Sequence, residues 1–107
     1  LPCLEMMSCS KPIIITNYSG HTKYCNKDNS FLVDIDELEP ANDGIWFHSS
    51  SLEEGGWAKI GLKQEEQFIE HMRYCYKNKK NTNSSGRLIA EKFTWTETAR
   101  KILEVLK

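Results

Sequence analysis

Two short runs, Ile13-Ile14-Ile15 and Phe31-Leu32-Val33, are the clear strand signals of this chain, and neither alternates apolar with polar residues. Unbroken apolar runs of this kind mark strands covered on both faces, as in a parallel sheet, because a sheet with one wet face alternates. The polar stretch between them, Asn17 to Ser30, is long enough for the crossover that parallel neighbours require. Two strands make an incomplete sheet, since sheets commonly hold about five or six. The chain is therefore expected to fold as part of an α/β layer whose remaining strands lie on residues outside it.

Helical periodicity accounts for much of the rest. Leu1, Leu4 and the Met6-Met7 pair fall about one turn apart and end at Lys11-Pro12. Residues 63–79 set Phe68, Ile69, Met72, Cys75 and Tyr76 on one face of an otherwise charged helix. Asn81 to Gly86 reads as a loop, a short helix follows from Leu88 to Phe93, and a last helix begins at Thr94. Glu97 sits where it completes a capping box with Thr94, and Trp95, Ala99, Ile102, Leu103 and Leu106 form a face expected to be buried. From Asp34 to Gly61 periodicity fails, and Pro40, Asn42-Asp43-Gly44 and Gly55-Gly56 punctuate a long loop that carries Trp46, Phe47 and Trp57. These aromatics are expected to pin the loop to the sheet, with a ligand-facing patch as the second possibility.

Charge narrows the function classes. Fourteen Lys and Arg against fifteen Asp and Glu leave a net charge of −1 over 107 residues, with basic residues scattered, so no footprint for nucleic acid or an anionic membrane is present. No stretch reaches the roughly 20 apolar residues of a transmembrane segment. The four Cys, at 3, 9, 25 and 75, have no metal-site or redox spacing, and free thiols in a cytoplasmic protein are expected, with no metal. His21, His48 and His71 are far apart in sequence and are expected to be solvated.

Read in order, Leu1-Pro2-Cys3-Leu4-Glu5-Met6-Met7-Ser8-Cys9-Ser10-Lys11-Pro12-Ile13-Ile14 resembles the G-L-P-x-x-E-A-M-A-C-G-x-P-V-I segment of retaining, nucleotide-sugar-dependent glycosyltransferases of the GT-B fold, the group 1 or GT4-like enzymes. Asn17-Tyr18-Ser19-Gly20, Asn29-Ser30-Phe31-Leu32-Val33, Trp57-Ala58 and Phe93-Thr94-Trp95 resemble further landmarks of that family in the same order. The resemblance spans nearly the whole chain. It implies the C-terminal half of a GT-B nucleotide-binding domain, a partial Rossmann-like three-layer parallel sheet over residues 1–107.

By that resemblance the parent enzyme would transfer a hexose from a UDP- or GDP-sugar to a hydroxyl of a glycan, lipid or protein acceptor, with retention. Glu5 matches the second glutamate of the family's E-x7-E motif, which implies that its carboxylate accepts hydrogen bonds from the donor's ribose hydroxyls. Leu1 matches the end of the loop that meets the donor and would offer its backbone amide. The motif's first glutamate, the cations that balance the leaving diphosphate and the acceptor-binding N-terminal half of the enzyme match nothing within this chain, and any peripheral attachment to a membrane is left to them. No catalytic residue is assigned within the chain. Ser10 stands where the family has Gly, at a helix C-terminus that favours left-handed backbone. Taken without the resemblance, Glu5 is a solvated helix residue and the chain a stand-alone α/β binding or interaction module whose aromatic loop contacts a protein.

Overall fold

The computed structural model describes all 107 residues. The fold is α/β: a two-stranded parallel sheet, a separate two-stranded antiparallel sheet and four helices. Helix α1 (Pro2–Ser8) has Pro in its first turn, where a missing N–H costs nothing. It closes in a Schellman arrangement, with the Ser10 amide donating to the Met7 carbonyl at 2.9 Å and the Lys11 amide to the Met6 carbonyl at 3.0 Å. Ser10 is left-handed there, with φ of 57°, which costs a residue bearing a Cβ about 1 kcal/mol.

The chain then enters β1 (Ile14–Thr16), makes a 3-10 turn at Gly20–Lys23 and returns as β2 (Phe31–Val33). The pair is parallel, with Ile14 opposite Phe31 and Thr16 opposite Val33. Its sides are covered differently. Ile15 and Leu32 meet the cluster of Met7, Ile13, Cys25 and Ala90 that α1 and α3 (Ser84–Ala90) build, whereas the Phe31 ring lies 5.6 Å from His71 and 5.7 Å from Tyr74 of α2 (Leu62–Lys77). Both expected strands thus form and pair as parallel neighbours.

Four expectations need correction. Residues 34–61 are not structureless: β3 (Leu38–Pro40) and β4 (Gly56–Ala58) form an antiparallel hairpin that pairs Glu39 with Trp57. Pro40 and the two glycines masked it, because Pro at a strand margin and Gly within one weaken the strand signal without preventing the ladder. The aromatics do not pin this arm to the parallel sheet. Phe47 packs edge-on to Trp57 at 5.8 Å within the arm, Trp46 is 83% exposed, and the Tyr18 hydroxyl donating to the Gly56 carbonyl at 3.0 Å is the tie to the β1 side.

The third correction concerns α2, whose buried side is set by polar contacts. Gln64 is buried and donates to the Asp34 carbonyl at 3.1 Å, Gln67 exchanges hydrogen bonds with Asp34, and the His71 ring donates to the Leu32 carbonyl at 2.8 Å. Phe68 and Cys75 are half-buried with them, but Ile69, Met72 and Tyr76 face outward, and His71 is not a solvated residue. The fourth is α4 (Trp95–Leu106), which buries no residue: Trp95, Ala99, Ile102, Leu103 and Leu106 are all exposed, because no helix or strand of this chain covers that face. Its cap forms in part. Thr94 Oγ1 accepts from the Glu97 amide at 3.1 Å, while the Glu97 carboxylate turns to Arg100 rather than back to Thr94.

The fold is consequently extended. Its radius of gyration is 16.6 Å, against about 13 Å for a compact chain of this length. Nine residues are buried, with Met7 and Val33 the only large side chains sealed completely.

Candidate functional site

Leu1 and Glu5, the two residues singled out by the resemblance, line one open concavity of about 280 Å³ between α1, the end of α3 and the start of α4. Leu4, Ala90, Phe93 and Trp95 give it an apolar lining, and Ser8 and Thr98 add hydroxyls. The geometry follows from local structure. Leu1 is the N-cap of α1 and its carbonyl accepts from the Glu5 amide at 3.0 Å, so the two residues stand one turn apart on the same side of the helix. On the opposite side of α1, Met7 is fully buried against α3, which holds the helix in place. Phe93 is steadied by an edge-on contact with Tyr24 at 5.5 Å.

Glu5 is exposed, and its carboxylate accepts no hydrogen bond and enters no ion pair in the chain; its backbone alone is engaged, the amide by Leu1 and the carbonyl by the Ser8 hydroxyl at 2.7 Å and the Cys9 amide at 3.2 Å. Asp28, Glu53, Glu65, Glu66 and Glu70 are equally free, but none of them lines this concavity, and the other acids are committed. Asp36 pairs with Lys63 at 2.7 Å, Glu37 with Lys59 at 3.1 Å, Glu91 with Arg87 at 3.3 Å, and Glu97 and Glu104 with Arg100. The Lys63 ammonium holds Asp36 below the usual carboxylate range, and Asp43 is lowered by the backbone amides of Phe47, Ile45 and Trp46. What the Glu5 concavity offers is a free anionic acceptor beside an apolar lining with an exposed indole, suited to a polyhydroxylated ligand with a flat ring.

No set of three or more His, Cys, Asp or Glu side chains converges as metal ligands do. The four thiols are free, with Cys25 buried, Cys3 and Cys75 half-buried and Cys9 exposed. Burial raises the Cys25 and Cys75 thiols above their ordinary range, which suppresses the thiolate that nucleophilic chemistry needs. The His21 ring donates to the Thr16 carbonyl at 2.5 Å and the His48 ring to the Ile45 carbonyl at 3.1 Å, so each histidine braces its own neighbourhood.

Sequence reasoning missed one organising residue. Asn83 was expected in a loop, yet it is the N-cap of α3, its Oδ1 accepting from the Gly86 amide at 3.0 Å. Its Nδ2 donates to the Asn29 carbonyl at 2.8 Å and the Lys11 carbonyl at 3.2 Å, tying α3 to the segments that enter both parallel strands. Gly86 permits this close approach, since a Cβ there would lie 2.4 Å from Asn83 Nδ2. The signal was an Asn three residues ahead of Gly86, before an apolar helix. Every buried side-chain nitrogen and oxygen has a partner, so this polar knot is structural. Compared with known proteins, the chain matches no family model, no curated protein and no solved structure.

Proposed function

We propose that this chain is part of the nucleotide-sugar-binding domain of a GT-B glycosyltransferase and that Glu5 is its ribose-binding carboxylate. One observation carries the reading: an unpaired, exposed carboxylate and Leu1 border one concavity with an apolar lining, and both occupy motif positions that the sequence resemblance assigns to the donor. A carboxylate is an acceptor-only group with room for two donors, so it suits the two vicinal hydroxyls of a ribose, as acidic residues do in dinucleotide-binding folds. The Leu1 amide would meet the donor beside it. A hexose would pass from UDP or GDP to an acceptor hydroxyl with retention. The departing diphosphate would be stabilised by cations from other segments, so this chain orients the donor and leaves charge stabilisation to them.

The exposed apolar face of α4 and the free edges of the two-stranded parallel sheet fit a domain completed by further strands and helices of the same polypeptide. This favours part of a larger enzyme over a stand-alone binding module.

The test is Glu5→Ala in the full-length enzyme. Glu5 is exposed, so the variant should keep its melting temperature. We expect kcat/KM for the sugar nucleotide to fall at least about tenfold, the cost of losing charge-assisted hydrogen bonds to the hydroxyls. Calorimetry that finds UDP and GDP binding unchanged in the variant rejects the ribose role. A glutamate at E-x7-E spacing ahead of Glu5 in the full reading frame is the accompanying expectation.

A further inference from the structure

We infer that the hairpin arm of residues 34–58 is a docking element for a polypeptide segment that sets Lys or Arg beside large apolar side chains. The arm's charge is one-sided. It carries seven acidic residues and no Lys or Arg, although the chain as a whole is balanced. Lys63 and Lys59 neutralise Asp36 and Glu37 at its base, whereas Glu39, Asp43, Glu53 and Glu54, nearer the tip, have no basic partner.

The tip itself is apolar, with Ile45 70% and Trp46 83% exposed. It is also built: one oxygen of the Asp43 carboxylate accepts the amides of Ile45, Trp46 and Phe47 at 2.9, 2.8 and 2.9 Å, and Phe47 leans on Trp57. An indole held outward on an ordered loop loses little freedom on binding, and buried Trp anchors commonly dominate interface energy.

Charge and polarity select the occupant. A sugar needs convergent donors and acceptors beside the ring, but Asp43 is occupied by its own loop, His48 by the Ile45 carbonyl and Glu54 by the Ser50 amide and hydroxyl. Nucleic acid and anionic lipid are repelled by the arm's net negative charge. A basic polypeptide that receives Trp46 in an apolar contact is complementary on both counts. This inference stands apart from the role of Glu5.

The experiment titrates the full-length protein against labelled short peptides in which paired Leu residues are flanked by Lys and Arg, with Glu-flanked peptides and phosphatidylcholine vesicles as comparators. The basic peptides should bind and should weaken as salt is raised. Trp46→Ala should cost about tenfold in affinity, and Glu53→Lys should also weaken binding and flatten the salt dependence, both variants keeping the parent's melting temperature. No binding, equal binding of the Glu-flanked peptides, or no effect of Trp46→Ala overturns the proposal. Trp46-dependent binding to the vesicles, or Trp46-dependent dimerisation in sedimentation without peptide, overturns it in favour of a membrane or a second copy.

Discussion

Helices α1 and α4 carry the same kind of sequence signal and meet opposite fates. Each sets apolar residues a turn apart and each has an identifiable start, Pro in the first turn of α1 and Thr94 capping α4. In α1 the stripe is answered in part: Met7 disappears against Ile13, Cys25 and α3 and becomes one of the two large side chains sealed from solvent, and Leu4 is half-buried, while Leu1 and Met6 stay exposed. In α4 it is not: Trp95 remains 77% exposed and Leu103 62%. Apolar periodicity therefore identifies a face that needs cover, while the cover itself is a property of whatever else folds beside it.

The sharpest way to break this contrast is to truncate one residue in each helix. Met7→Ala should destabilise the fold by about 3 kcal/mol, the transfer and cavity cost of a buried Met, whereas Ile102→Ala in this chain alone should change it by less than about 0.5 kcal/mol, as exposed positions do. Urea unfolding of both variants decides. Equal losses would mean that α4 is packed after all, and a larger Ile102 effect in the full-length protein than in this chain would show that cover is supplied from outside it.

Asn83→Ala comes next. It removes the α3 cap and the ties to Lys11 and Asn29, and should cost about 1–2 kcal/mol, at the upper end for a cap. A melting temperature equal to the parent's would dismiss the polar knot as decoration. Gly86→Ala, which drives a Cβ into the Asn83 amide, should act in the same direction.

Ser10→Gly should raise stability, by up to about 1 kcal/mol, by relieving left-handed backbone at the end of α1. A loss of stability would indicate that the serine side chain, not the backbone, matters there. The smallest effect is in pH. Burial lifts Cys25 above the unfolded thiol, so between the unfolded and folded values the unfolded chain has released a proton that the native chain retains. That contribution is intact below the unfolded thiol pKa and declines as pH rises through the folded one. Alkylation by iodoacetamide at mildly alkaline pH should accordingly reach exposed Cys9 first and buried Cys25 last. The reverse order would mean that the α1–α3 cluster opens readily.

Much of the fold near β1 was legible because its signals are local. Ile13-Ile14-Ile15 and Phe31-Leu32-Val33 announce strands and their spacing allows a parallel crossover, whereas the left-handed backbone at Ser10 was expected only because the resembled family has Gly there. The hairpin was not legible because its strands are three residues each, interrupted by Pro40 and Gly56, and stable only through their partner across fifteen intervening residues. His71 and Gln64 were misjudged for a related reason: a polar side chain on a helix looks solvated until a carbonyl from another element, here Leu32 or Asp34, is brought to it. Of the candidate site, Glu5 and Leu1 came from motif position alone, while Phe93, Trp95 and Thr98 joined them only when α3 and α4 were set against α1.

The sequence by itself thus determined the two parallel strands, helices α1 and α2 and the start of α4, since these depend on side-chain type and short spacing, while Glu5 is worth testing because of its place in a resembled motif. The tertiary structure alone decided which apolar faces are covered, that Trp46 points outward on an acidic arm and that Asn83 joins three segments. Those outcomes depend on contacts between residues far apart in the chain, and no local pattern encodes the partner.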